Sequence, residues 1–251
     1  MRMTDHTILV TGGTSGIGRA LAEAFHARGN RVIVAGRRRD LIDEITGANQ
    51  GMAGIVLDVR DPLSMDQAVG RLREEFPDLD VLVNNAGISR QQELAAGKAS
   101  FATSREIVET NVLAVLQLTD ALLPLLLRQA PATIVTTTSG LAFVPRSNFP
   151  TYCASKAFLH SWLQSLRHQL RDKGVEVLEL APPYVQTELA GPQQLRDPHA
   201  MPLADYVAEV MDLLEAGDTP DGEILVERVK TLRYAERGAT YAAAYAMLNP
   251  S

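Results

Sequence analysis

Short, nearly unbroken apolar runs alternate along this chain with longer stretches in which apolar positions recur every three or four residues. The runs at 7–10, 31–35, 55–59, 79–83, 133–138, 174–180 and 223–229 are rich in Val, Ile, Leu and Thr and read as strands. Helical spacing fills the intervals. Ala20, Leu21, Ala24 and Phe25 follow the first run. Residues 62–76 are opened by Asp61 and Pro62, a long stretch covers about 104–128, and further helices are expected at 152–172 and 202–215. Strands that are apolar on both sides, separated by helices, predict an α/β fold with a parallel sheet covered on both faces. No internal repeat, low-complexity segment or linker breaks the pattern, so residues 1–251 are expected to form a single domain.

Composition narrows this picture. With 251 residues, 46% of them hydrophobic, the chain has material for a well-buried core. A formal net charge of -6 and a pI near 5.4 argue against a general nucleic-acid or anionic-membrane surface. Cys153 is the only cysteine, which removes any intramolecular disulfide or multi-cysteine metal site and fits a reducing cytoplasm. No long apolar stretch precedes the first strand, so no signal peptide is expected. Uninterrupted apolar windows such as 122–127 fall far short of the roughly 20 residues of a membrane span. His6, His26, His160, His168 and His199 show no metal-ligand spacing, and they read as polar or packing residues.

The first strand runs directly into Thr11-Gly12-Gly13-Thr14-Ser15-Gly16-Ile17-Gly18 and then into a helix. Strand, glycine turn and helix start together suit a pyrophosphate, because glycine permits close approach and the helix start offers free N–H groups. The second strand ends in Gly36-Arg37-Arg38-Arg39, and no carboxylate appears before Asp40. An acid there would grip a ribose 2′-hydroxyl, whereas arginine accommodates a 2′-phosphate, so NADP is favoured over NAD. Arg39 reads as a solvated helix start.

Tyr152 and Lys156 lie four residues apart on a helix and therefore on one face. At the roughly 5 to 6 Å between such neighbours, the ammonium would favour the phenolate by about 3 kcal/mol, or roughly two pKa units. The pair is either an activated acid/base or a tyrosine edge packed on a lysine stem. Ser139, just after the strand at 133–138, is either a substrate-binding hydroxyl at a strand's carboxyl end or a turn-capping serine.

Taken together, Thr11-Gly12-x-x-x-Gly16-x-Gly18, Asn84-Asn85-Ala86-Gly87, Asn111, Ser139 and Tyr152-x-x-x-Lys156 resemble the short-chain dehydrogenase/reductase family in order and spacing. The resemblance covers residues 7 to about 230. It implies an extended Rossmann fold, doubly wound around a seven-stranded parallel sheet, and a nicotinamide dinucleotide cofactor. It makes Tyr152 the general acid/base and Lys156 the holder of the nicotinamide ribose. Ser139 would polarise the substrate carbonyl, and Asn111 would hold a relay water. The implied cofactor contacts are Gly12, Thr14, Ser15, Gly16, Ile17, Gly18, Arg37, Arg38, Asp58, Val59, Asn85, Ala86, Gly87, Tyr152, Lys156, Pro182, Val185 and Thr187. Asp58 would meet the adenine amino group. Pro183 stands where many members have glycine, which should stiffen the nicotinamide wall.

Ser139 to Phe143, Tyr152 to Ala154, Ala181-Pro182-Pro183 and Glu227-Arg228-Val229 resemble the subgroup labelled DltE-type oxidoreductases. Residues 186–202 read as a lid. Phe143, Val144, Pro145, Phe149 and Tyr184 suggest a partly apolar substrate pocket, with Arg146 a candidate carboxylate anchor. The resemblance implies a small carbonyl or alcohol substrate and association as a homodimer or homotetramer. The alternative is a non-catalytic NADP-sensing or scaffold protein on the same fold.

Overall fold

Ile8, Leu9 and Val10 are all fully buried, yet they serve two different cores. Ile8 and Val10 pack with Leu21 and Phe25, while Leu9 packs with Leu72 and Leu122 on the opposite side. A strand with both faces covered has no polar face, which is why its sequence reads as an unbroken apolar run. The computed structural model describes residues 3–95 and 101–249; Met1 and Arg2, with which the chain begins, lie outside them.

The strands β1 (Thr7–Thr11), β2 (Arg31–Gly36), β3 (Ala53–Val56), β4 (Val81–Asn84), β5 (Ala132–Thr137), β6 (Val175–Leu180) and β7 (Glu223–Ile224) pair parallel in the order β3-β2-β1-β4-β5-β6-β7. One face carries α1 (Gly16–His26) and α7 (Leu203–Ala216). The other carries α3 (Pro62–Glu75), α5 (Ala114–Arg128) and α6 (Pro150–Leu170). α2 (Arg39–Ala48) links β2 to β3. Because β1 pairs with β2 on one side and β4 on the other, the connections leave in opposite directions. A crevice opens at the strands' carboxyl ends there. This is the doubly wound Rossmann arrangement expected from the sequence.

Two expected strands differ. The third was expected at 55–59 but lies at Ala53–Val56. Leu57 still donates to the Gly36 carbonyl at 2.8 Å; Asp58 then turns away, its N–H donating to the Ser64 hydroxyl and its carboxylate accepting from Arg60 N. The seventh was expected over 223–229, but only Glu223 and Ile224 pair with β6. The rest becomes α8 (Glu227–Arg233), because Leu225, Val226 and Val229 are buried at helical rather than alternating spacing. A terminal helix, α9 (Tyr241–Leu248), follows.

The long helix expected at 104–128 is one run in three parts: α4 (Phe101–Val108), a π-helical turn (Glu109–Leu113) and α5. Taken whole, 101–128 is long and apolar enough to cross a membrane, contrary to the shorter windows counted from the sequence. It is a core helix here, with 56% of its apolar window buried against the rest of the fold and Leu118, Leu122, Leu125 and Leu126 in the sheet core.

Asp61 caps α3 by accepting from Leu63 N at 3.0 Å, with Pro62 as the first helical residue. Asp61→Ala should lower stability by about 1 kcal/mol in urea unfolding. Unchanged stability would show that the helix start does not depend on this cap.

Candidate active site

The crevice is a cavity of about 610 Å³. Its floor depends on Thr11, whose hydroxyl accepts from Asn85 N (2.9 Å) and Ala86 N (3.1 Å) and donates to Val83 O (3.2 Å). One side chain thus pins the ends of β1 and β4 together. The backbones meet so closely that a Cβ on Gly12, which sits at φ +64, would lie 2.9 Å from Ala86 Cα. At Gly18 it would lie 2.3 Å from Asn85 Nδ2 and 2.4 Å from Gly12 O. Gly18 therefore serves helix-to-turn packing and does not line the cavity, whereas Gly12, Thr14, Ser15, Gly16 and Ile17 do.

Ser15 occupies the N-cap of α1 without a side-chain bond to the helix. Its hydroxyl instead accepts from Arg38 Nη2 at 3.2 Å. Arg37 and Arg38 line the same end of the cavity, and among the described residues neither has a carboxylate partner. Asp58 and Val59 form the adjoining wall, with Arg60 joined to Glu106 of α4 at 3.4 Å. Asn85, Ala86 and Gly87 line the centre.

Tyr152, Lys156 and Ser139 stand at the other end. Ser139 follows β5 in extended conformation and accepts from Leu141 N at 3.1 Å, so it caps the 3-10 turn Gly140–Ala142 as well as facing the cavity. Its side chain also favours the Tyr152 phenolate, opposing part of the effect of burial. Lys156 Nζ lies 5.9 Å from the Tyr152 ring centroid and donates to Thr137 O at 2.8 Å.

The electrostatic balance is the reverse of the one expected from the spacing. Burial pushes the phenol up to about 12, only partly opposed by the Ser139 side chain. Burial also lowers the lysine, to about 8, with Glu179 resisting the shift. Helical spacing reports the attraction between the two groups but not the loss of water around both.

Asn111 is fully buried behind the cavity rather than in it. Its carboxamide accepts from Ile88 N (2.9 Å) and donates to Ile88 O (3.0 Å) and Ser155 Oγ (3.1 Å). These bonds tie the π-helical turn to the segment after β4 and to α6. π-turns widen the helix at sites of this kind.

Pro182, Pro183, Val185 and Thr187 form the remaining wall. The expected lid folds back on itself: Val185 bridges Met201, and buried Gln194 donates to Val185 O at 2.6 Å. Of the residues assigned to an apolar substrate pocket, Phe149 packs on Tyr152, and Tyr184 is exposed and donates to Asp197 rather than lining the cavity. Phe143 instead packs against His160 and Arg233, and Val144 against Ala235 and Ala244. The loop doubles inward there, which no periodicity reveals. Arg146 sits 5.7 Å over the Phe149 ring and does not line the cavity. Cys153 is buried beside Phe149, and its Sγ accepts from Arg146 N.

Sequence reading missed Arg60, Arg90, Glu106, Thr138 and Gln194 on the cavity wall. It also missed a buried polar group behind Thr138. His160 Nδ1 meets Glu179 at 2.7 Å, Thr138 Oγ1 donates to Glu179 at 2.6 Å, and Glu223 lies close enough that His160, Glu179 and Glu223 bring ligand atoms within 4.8 Å of one another. Glu223 is already held by Arg233 through two bonds of 2.6 and 2.8 Å. One signal existed: Glu179 has the parity of Val175 and Val177, the residues of β6 that face α6.

The lysine carries a linkage consequence. The unfolded chain holds this proton up to the ordinary value of 10.5 and the folded chain only to about 8. Between those values the unfolded state binds more protons, so the folded state gains stability as pH rises. Relative to Lys156→Met, the parent should therefore gain about 3 kcal/mol between pH 8 and 10.5, measured by urea unfolding at each pH. A flat difference would contradict the buried-ammonium assignment.

The family model for short chain dehydrogenase matches residues 6–197. The chain is 39% identical over 242 residues to the Bacillus subtilis (strain 168) protein named "Uncharacterized oxidoreductase DltE", covering 94% of each. A short chain dehydrogenase from Burkholderia cenocepacia J2315 in complex with NADP superposes with a TM-score of 0.83 at 24% identity, over 99% of both chains. A short chain dehydrogenase/reductase from Burkholderia phymatum in complex with NAD gives 0.82 at 21% identity, over 95% of both. The motifs, the sheet order and these matches agree: the chain belongs to the short-chain dehydrogenase/reductase family of oxidoreductases.

Proposed function

We propose that the protein is an NADP(H)-linked carbonyl reductase, acting in reverse as an alcohol dehydrogenase. The observation that carries this reading is one cavity with two arginines at one end, neither with a carboxylate partner among the described residues, and a buried phenol–ammonium pair at the other. The residues present fit a dinucleotide. Gly12 and Gly16 leave bare backbone in the turn, the α1 N-terminus faces the cavity, and Ser15 keeps its hydroxyl off the helix. Arg37, Arg38 and Ser15 would hold a 2′-phosphate. Bound nicotinamide supplies the hydride.

The chain's own residues do the remaining work. A phenol held near 12 stays protonated at neutral pH, which is the form a carbonyl oxygen needs as it gains negative charge. Ser139 donates to the same oxygen and Tyr152 delivers the proton. Lys156 spends one N–H on Thr137 O and keeps two for a ribose and for the charge left on Tyr152. Asn111 holds the π-helical turn that supports proton resupply. Residues 186–202 act as the lid, the chain acts as one domain in the cytoplasm, and exposed Leu113, Leu127 and Phe158 provide apolar helix surface for a homodimer or homotetramer.

Titration of NADPH and NADH by nicotinamide fluorescence, followed by a panel of carbonyl compounds, tests the reading. NADPH should bind more tightly, and the preference should vanish in the Arg37→Ala/Arg38→Ala variant. Equal or tighter NADH binding in the parent would overturn the cofactor assignment. Tyr152→Phe should retain NADPH binding and lose about 10²-fold or more in kcat; retained turnover would remove Tyr152 as the acid.

A further inference from the structure

Glu179 is fully buried on β6, a position that costs free energy unless the charge is met by partners. The structure supplies them from every side. Thr138 at the end of β5 donates to one oxygen and His160 of α6 meets the other. Glu223, its register neighbour on β7, is neutralised by Arg233 of α8. Lys156, also on α6, is the remaining cation, and Glu179 is the group that favours its charged form.

Tyr152, Lys156, His160 and Gln164 are spaced by four residues and share one face of α6. Three consecutive residues at the end of β5 then divide the site between them. Thr137 takes the Lys156 ammonium on its carbonyl, Thr138 takes Glu179 on its hydroxyl, and Ser139 faces the cavity. Glu179 thus touches neither the cavity nor the phenol, yet it is bonded to the residue between the lysine's acceptor and the serine.

We propose that Glu179 is a positioning residue for this reaction: pinned by Thr138 and His160 behind the Ser139 strand end, its carboxylate is the buried counter-charge that keeps Lys156 an ammonium. The assignment rests on the reductase reading for its purpose, but its electrostatic content stands on these contacts. Charge balance supports it. Glu223 is clasped by Arg233, His160 Nδ1 meets Glu179 at 2.7 Å, and Lys156 lies one turn before His160 on the same face of α6. The same three side chains resemble a ligand set for a cation. However, the two-bond clasp of Arg233 on Glu223 puts a guanidinium where a metal would need that carboxylate, so the geometry favours a counter-charge role.

The chain has only Lys98, Lys156, Lys173 and Lys230, so lysine-selective isotope labelling resolves Lys156 by NMR, with Lys156→Arg to assign it. In the parent and in Glu179→Gln, the Lys156 side-chain shift is followed against pH. Without the counter-charge the midpoint should fall by about one pH unit. Glu179→Asp, whose carboxylate is withdrawn, should fall between the two and serves as the test should Glu179→Gln not fold. The alkaline limb of kcat/KM on the best carbonyl should move to lower pH by the same amount.

Superimposable Lys156 midpoints in parent and folded variants, even with a lowered Tm, would overturn the proposal and leave Glu179 a purely structural residue. A shifted midpoint in a protein that turns over no carbonyl supports the coupling of Glu179 to Lys156, and the loss then falls on the reductase reading alone.

Discussion

Water is withdrawn from a phenol and an ammonium at the same strand end, and the rest of the site follows from that. Tyr152 and Lys156 are 6% and 4% exposed, so each resists its charged form more strongly than the other can promote it. The result is a neutral phenol and a lysine that gives up its proton far more readily than in water. Such a pair persists only because tertiary structure holds it. Thr137 O anchors the ammonium, and on the neighbouring strand Glu179 is held by Thr138 and His160. In a protein that reduces a carbonyl, the protonated phenol is the resting form from which a proton is delivered.

The sheet makes this possible by bringing strand ends to one edge. Thr11 clamps β1 to β4 and Gly12 lets the turn pass close to Ala86, so the crevice runs from the arginines at the end of β2 to buried Tyr152 and Lys156. β5 lies beside β4, which sets Thr137, Thr138 and Ser139 opposite Asn85 and below α6. The π-helical turn at Asn111 has the same origin. Three side-chain bonds to Ile88 and Ser155 outweigh the ideal helical ladder, and the helix widens to make them.

Much of this was legible in the sequence because doubly buried strands and glycine turns leave strong local marks. The runs that became β1, β2, β4, β5 and β6, and the turn from Thr11 to Gly18, are read from composition alone. Arg37 and Arg38 stand out at the end of β2 for want of a carboxylate, whereas the bond from Arg38 to Ser15 joins residues 23 positions apart and leaves no local mark. β3 and β7 were misplaced because apolar residues continue past the strand into other burial, Leu57 in one case and Val226 and Val229 in the other. The pairing of His160 with Glu179 was hidden because the two glutamates of β6 look alike, and only facing α6 distinguishes Glu179 from exposed Glu176. The pKa ordering of Tyr152 and Lys156 was misjudged because spacing reports proximity but not desolvation.

The most direct measurement is an ultraviolet titration of the Tyr152 phenolate, taken as the parent spectrum minus that of Tyr152→Phe, first on the free protein and then with saturating NADP. The account predicts a midpoint near 12 in the free protein and a lower one when a positively charged nicotinamide is bound. A phenolate already formed at neutral pH in the free protein would show that attraction by Lys156 outweighs burial, and would contradict the account of Tyr152 as a resting acid.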